Sequence, residues 1–332
     1  MHRYNYVIFS PYFGKLPSTF DLWAQSCGYN PQFLFVVFTD DTYRGPLPPN
    51  VQIKQMSFGD LRARVQAKFD FSVALENPYK LCDYKPALGY VFQDYLQGAA
   101  YWGHCDMDLV FGDISKFLPS HKYDKISHLG HLCLYKNTPE IIKAFQLSSR
   151  HILTYQEIFS SKAHFGFDEN YEYGINTIFR AHNLSVYPFE QYIADIRCTT
   201  PNFILSHYQN SSFTAEMGER IFSVENGHVY AHTLTGDSIT KKEYAYVHMQ
   251  KRRLGSLFAG TPTCYLITPA AFEPWQPITP ALIRNRQRSM SRWACWLKKS
   301  SIKRISFPRA LQRKWAIAKI ICSKQFKRKE SL

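Results

Sequence analysis

Two short runs rich in β-branched and aromatic residues, Tyr4–Phe9 (YNYVIF), apolar without a break from Tyr6, and Phe33–Phe38 (FLFVVF), constrain this chain most. Continuous apolar runs of this length, ended by Ser10-Pro11 and Thr39-Asp40-Asp41, predict strands covered on both faces. Between them Pro17–Cys27 has Pro and Ser at its start and apolar residues at helical spacing, which predicts a crossover helix. Val51–Met56 reads as a third strand, and Ser57 as the cap of a helix running to about Lys68. The rhythm predicts an α/β fold, a mainly parallel sheet flanked by helices. Ligands of such sheets bind beyond the carboxyl ends of the strands. The polar segments Ser10–Gly14 and Thr39–Asp41 fall there, which makes Pro11, Tyr12, Gly14 and Asp40 candidate nucleotide contacts.

Further along, Pro78–Leu96 reads as a long helical segment kinked or divided at Pro86. Ala100–His104 reads as a strand, Ile126–Tyr135 as another, and Asp168–Phe179 as helical in its second half. Thr233–Tyr244 is polar and reads as irregular.

Directly after the Ala100–His104 run come Cys105-Asp106-Met107-Asp108. Two carboxylates one residue apart at a strand's end can both reach a hard divalent cation such as Mn²⁺ or Mg²⁺. That cation can hold a diphosphate and stabilise it as a leaving group. Taken alone, the triplet is weak evidence, since Asp pairs in loops are common and usually just solvated. His248, within Tyr246–Arg252, is the candidate third ligand, and imidazole suits Mn²⁺. The alternative is a histidine buried in a strand. Asp168-Glu169 is a second acidic pair, suited to general base work or to a helix N-terminus.

The block Tyr79–Asp113 (YKLCDYKPALGYVFQDYLQGAAYWGHCDMDLVFGD) resembles the donor-binding region of the GT-A fold glycosyltransferases that carry a D-x-D motif. The wider pattern, in Ser10–Gly14, Phe38–Asp41, Pro78–Pro86 and Gly103–Asp113, is similar to bacterial proteins of surface polysaccharide assembly. It covers roughly residues 4–252. It departs from the commoner helix motif in placing the basic residue two positions after the acid, as Asp83 and Lys85.

The resemblance implies a metal-dependent transferase. It would move a sugar from a nucleotide-sugar donor to a saccharide or lipid-linked acceptor. Asp83 would meet the sugar hydroxyls, or else pair with Lys80 or Lys85 as an ordinary helix acid. Lys80 or Lys85 would face a phosphate or the sugar. Lys251 and Arg252 would lie near the diphosphate. Asp168 and Glu169 would serve as catalytic carboxylates, with Gly130-His131 on the acceptor side.

Of 40 Lys and Arg, 16 lie between Ala281 and Leu332 against one acid, Glu330. The remaining 24 basic and 25 acidic residues make the first 280 positions nearly neutral, which disfavours nucleic acid as a partner. The tail interleaves its charges with Trp293, Trp296, Trp315 and several Ile, a composition suited to an anionic membrane surface or to a packed extension. The expected organisation is a catalytic domain over 1–252, a connecting segment over 253–280 and a basic amphipathic extension over 281–332. Eight scattered cysteines without a C-x-x-C pair argue for reduced thiols. With no apolar stretch of spanning length, the expected location is cytoplasmic, peripheral on the membrane. A non-catalytic sugar-nucleotide or polysaccharide binding protein is the alternative function.

Overall fold

The computed structural model describes residues 4–288 apart from 121, 151, 170–173, 199, 210–211 and 251. In chain order the first strands are β1 (Tyr6–Pro11), β2 (Phe33–Thr39), β3 (Val51–Gln55), β4 (Tyr101–Cys105) and β5 (Leu109–Phe111). Next come β6 (Lys125–Ile126), β7 (Leu132–Lys136), β8 (Val186–Tyr187) and β9 (Ile193–Asp195). A hairpin, β10 (Leu205–Gln209) and β11 (Ser212–Glu216), precedes β12 (Glu219–Glu225), β13 (His228–Thr235) and β14 (Ser238–Tyr244). The last four are β15 (Tyr246–His248), β16 (Gly255–Ser256), β17 (Cys264–Ile267) and β18 (Ala271–Pro274).

The fold is mixed α/β. A seven-stranded sheet runs in the order β3-β2-β1-β4-β7-β6-β8. Its first four strands are mutually parallel, as the apolar runs predict, and β7 then pairs antiparallel with β4. Both faces are covered. On one, helix α1 (Phe20–Gly28) buries Trp23 and Phe20 against Phe33, Phe35 and Ile8. On the other, Phe9 and Phe38 pack on Phe92, with the Phe38 and Phe92 rings stacked at 4.1 Å. Helix α2 (Phe58–Gln66) starts at the expected cap, where the Ser57 side chain and Asp60 form a capping box.

Several expectations need correction. Pro78–Leu96 is no continuous helix but a chain of single turns, including α3 (Leu81–Tyr84) and α4 (Leu88–Val91). Pro86 removes a backbone donor, and Gly89 lets the segment lie on the Trp102 indole, whose ring would sit 2.3 Å from an added Cβ. The single strand expected over Ile126–Tyr135 is an antiparallel pair, β6 and β7, joined by a loop over 127–131. Ser127 turns that loop with φ of 74°. Thr233–Tyr244 is not irregular: β13 and β14 form a hairpin turned at Gly236. Its polarity belongs to β14 as the exposed edge strand of a six-stranded sheet, ordered β14-β13-β12-β17-β18-β16.

Residues 253–280, expected as a connector, contribute β16, β17 and β18 to that sheet, and β17 pairs with β12. The helix Pro280–Arg286 also joins it, burying Ile283 with Ile221, Leu234 and Leu266. The chain divides into two units after Gln287, so the basic extension loses its first turns to the body. The rest of the expected amphipathic tail, from 289 on, lies outside the described residues.

A third, small sheet links the two larger ones. Strand β15 pairs antiparallel with β5 and parallel with β9. No helix among the described residues is long and apolar enough to cross a membrane.

Candidate metal centre

Strand β4 ends at Cys105, and the next backbone is held on both sides. The Asp106 N–H donates to the His131 carbonyl at 2.9 Å, and Trp23 Nε1 donates to the Asp106 carbonyl at 3.2 Å. The chain then enters β5, whose register with β15 sets His248 opposite Leu109, the neighbour of Asp108. The Met249 N–H closes the pairing on the Asp108 carbonyl at 2.9 Å. One ligand atom each from Asp106, Asp108 and His248 lies within 4.8 Å of the others. Three residues read separately from the sequence are thus brought together.

Asp195, at the end of β9, went unread. Parallel pairing sets it opposite His248, and its Oδ1 accepts the imidazole Nδ1 at 2.7 Å. The same oxygen accepts from Gln250 Nε2 at 2.8 Å. The other ring nitrogen, Nε2, is left 3.6 Å from Asp108. A carboxylate behind the imidazole fixes ring orientation and strengthens a ligand's basicity. Burial opposes the His248 imidazolium, but hydrogen bonds and charge from Asp108 and Asp195 outweigh it and carry the pKa up to about 10. No local signal marks Asp195: a single acid at a short strand's end is ordinary, and only the strand pairing gives it a role.

Lys85 lies on the other side of Asp106. It is buried, and its Nζ meets Asp106 at 2.8 Å, Asp168 at 3.1 Å and the Gly130 carbonyl at 2.9 Å. Burial works against its charge, yet Asp106 and Asp168 hold its pKa well above the ordinary lysine value. Burial pushes Asp168 up to about 7 despite Lys85, with Glu169 and Asp106 adding to the rise. Glu169 is exposed and accepts the Gly130 N–H at 3.2 Å. Gly130 is required for this approach, since an added Cβ would lie 2.5 Å from Asp168 Oδ2. Lys85 and Asp168 therefore adjoin Asp106, and Glu169 lies beside them on Gly130.

Other expectations fare differently. Asp83 is fully buried, paired with Lys80 at 2.8 Å and accepting the N–H groups of Phe165 and Phe167. Lys80 is equally buried and also donates to the Ile158 carbonyl at 3.0 Å. Both side chains hold the 158–167 segment, so neither reaches a sugar or phosphate. The alternative of a helix acid paired with its lysine applies, although in the interior rather than at the surface. His131 does not line an open acceptor side either. It is buried and stacked on His248, ring centroids 4.1 Å apart, and its Nδ1 shares a hydrogen bond with the Tyr246 hydroxyl at 2.9 Å.

Pro11 ends β1 and Tyr12 and Gly14 follow it, next to the D-x-D, where Ser10 Oγ donates to the Cys105 carbonyl at 3.1 Å. Asp40 Oδ1 accepts the Gly14 N–H at 2.7 Å, closing the loop between β1 and α1 onto the end of β2. Arg252 spends hydrogen bonds on the carbonyls of Arg197 and Pro201 and lines a small pocket with Asp108, Met107 and Met249. Lys251 lies outside the described residues.

Fold and site together describe a mixed α/β protein with a carboxylate–imidazole cluster that could hold a metal ion beyond the end of a parallel strand. The chain belongs to the family of unknown function DUF6625, whose pattern matches residues 8–276 and takes in every residue of the cluster. No curated protein matches it.

Proposed function

We propose that this protein is a metal-dependent glycosyltransferase of GT-A type that uses a nucleotide-sugar donor. The convergence of Asp106, Asp108 and His248 carries the reading. Two carboxylates and one imidazole fit Mn²⁺, which accepts mixed oxygen and nitrogen ligands, and fit Mg²⁺ less well. Asp195 behind His248 completes a donor set of the kind seen around functional metals. Two further observations support it. The parallel order β3-β2-β1-β4 suits a nucleotide-binding half-sheet, and the loops after β1 and β2 adjoin the D-x-D.

A cation held there would supply Lewis-acid stabilisation of the departing diphosphate. The chain's own residues do the rest. Asp195 and Gln250 orient His248 so that Nε2 faces Asp108. Lys85 fixes Asp106 and Asp168 in one arrangement and adds positive charge beside the donor's reacting end. Asp168, buried and paired with Lys85, has a pKa raised to about 7, the range of a general base, and Glu169 beside it is the exposed carboxylate of the pair. The loop from Tyr12 to Gly14, half-buried up to the exposed Gly14 and tied to Asp40, lies on the side where the nucleoside would bind.

The acceptor class, a saccharide or lipid-linked saccharide, and a place in surface polysaccharide assembly rest on the resemblance of Tyr79–Asp113. Docking on the cytoplasmic face of an anionic membrane rests on the basic composition of 281–332. The decisive experiment screens nucleotide sugars for Mn²⁺-dependent hydrolysis and binding in the wild type and in Asp108→Ala. Donor hydrolysis that needs both Mn²⁺ and Asp108 supports the reading. A wild type that binds no nucleotide sugar, with or without metal, overturns it.

A further inference from the structure

Beside the D-x-D cluster lies a second convergence of ligand atoms. One each from His131, Asp195 and His248 lies within 4.8 Å of the others, and all three residues are buried. His131 is 4% exposed, and its Nε2 is buried without a hydrogen-bond partner. A buried polar atom left so is costly unless a water or ion meets it. The tautomer in which His131 Nδ1–H donates to the Tyr246 oxygen leaves a lone pair on Nε2. Asp195 is steadied in turn by Gln250. Both contacts are the outer hydrogen bonds that metal ligands use.

We propose that His131, Asp195 and His248 form a second cation site, selective for a Zn²⁺-class ion, whose occupation disables the D-x-D site. Two imidazoles and one carboxylate, buried and few in number, match the tetrahedral N and O sets of zinc rather than the oxygen-rich shells of Mg²⁺. The antagonism follows from the His248 ring. While Nδ1–H donates to Asp195, a neutral His248 offers its Nε2 lone pair toward Asp108. An ion bound at Nδ1 requires the other neutral tautomer, in which the single ring proton has moved from Nδ1 to Nε2, where it points toward Asp108 and that nitrogen cannot ligate. The antagonism rests on the glycosyltransferase reading of the D-x-D site, whereas the second site stands on its own residues.

Co²⁺ replaces Zn²⁺ and absorbs visible light far more strongly in four-coordinate than in six-coordinate sites. Titration of the full chain should give the strong band in the wild type and in Asp108→Asn, and His131→Phe, which keeps a stacking ring, should lose it. Zn²⁺ should also weaken Mn²⁺ binding, read by electron paramagnetic resonance, at least tenfold more in the wild type than in His131→Phe. A band that survives His131→Phe, or that disappears with Asp108→Asn, overturns the proposal. Should His131→Phe fail to fold, anomalous diffraction from Zn²⁺-soaked wild-type crystals decides. A peak about 2 Å from His131 Nε2 supports the site, and a peak only between Asp106 and Asp108, or none, overturns it. Loss of the glycosyltransferase reading would look different: no Mn²⁺-dependent donor turnover, with the Co²⁺ band intact.

Discussion

Asp195 and His248, 53 residues apart in the chain, meet at 2.7 Å because β9 and β15 pair in parallel. The contact leaves one imidazole nitrogen facing Asp108, and on the proposed metal reading it would make Asp195 a determinant of metal affinity. Asp195→Asn keeps the shape and removes the charge. Mn²⁺ affinity, measured by calorimetry, should fall roughly 10- to 100-fold. Wild-type affinity in this variant would show that His248 is not a ligand.

The His248 pKa makes cation binding pH-dependent. Its imidazolium persists up to about pH 10 without metal, and a ligand must be neutral. Affinity should therefore rise about tenfold per pH unit between pH 6.5 and 8.5, one proton being released per ion. The sign for stability is opposite. A raised pKa stabilises the metal-free fold fully below 6.5, and that contribution fades as pH climbs through about 10. The metal-free melting temperature should decline over this window, and added Mn²⁺ should reverse the decline. A pH-independent affinity would contradict the assignment.

Gly130 tests Asp168. The methyl of Gly130→Ala would lie 2.5 Å from Asp168 Oδ2 and 3.2 Å from Glu169 Cβ, forcing Asp168 away from Lys85 and displacing Glu169 from the Gly130 N–H. Donor turnover should drop roughly 100-fold, the usual consequence of displacing a reacting group by an ångström. Mn²⁺ affinity should stay near the wild-type value, because the nearest neighbours of the new methyl are Asp168 and Glu169 rather than Asp106, Asp108 or His248. Unchanged turnover would remove Asp168 from the machinery.

The buried pair Lys80–Asp83 concerns the fold, not the donor. Lys80→Met strands a carboxylate in the interior and should cost about 3–5 kcal/mol in denaturant unfolding. Adding Asp83→Asn should recover part of that loss, and the double variant should keep the wild-type KM for donor. A large rise in KM without loss of stability would restore Asp83 to the sugar.

The tail must be cut in the right place. Removal from 280 takes Ile283 out of the core with Ile221, Leu234 and Leu266, and should destabilise the body by about 2–5 kcal/mol. Removal from 289 should spare both stability and donor hydrolysis. It should abolish sedimentation with anionic liposomes, and retained sedimentation would refute membrane docking by the tail.

Much of this was legible in the residues. Tyr4–Phe9 and Phe33–Phe38 announced doubly covered parallel strands, because only burial on both faces tolerates unbroken apolar runs. Asp106 and Asp108 declared themselves by following such a strand, and His248 by its residue type. What no local pattern holds is partnership across the chain. Asp83 and Lys85 stand two residues apart on successive turns, yet one is sealed beneath the 158–167 segment and the other reaches Asp106 and Asp168. Hairpin β13–β14 read as irregular because an edge strand keeps a polar face that alternation alone does not explain. Asp195 and Tyr246 acquire chemistry only from strand register, where a shift of one residue in pairing would turn each to the opposite face, and His131 only from the loop that sets it on His248 in the low dielectric of the interior.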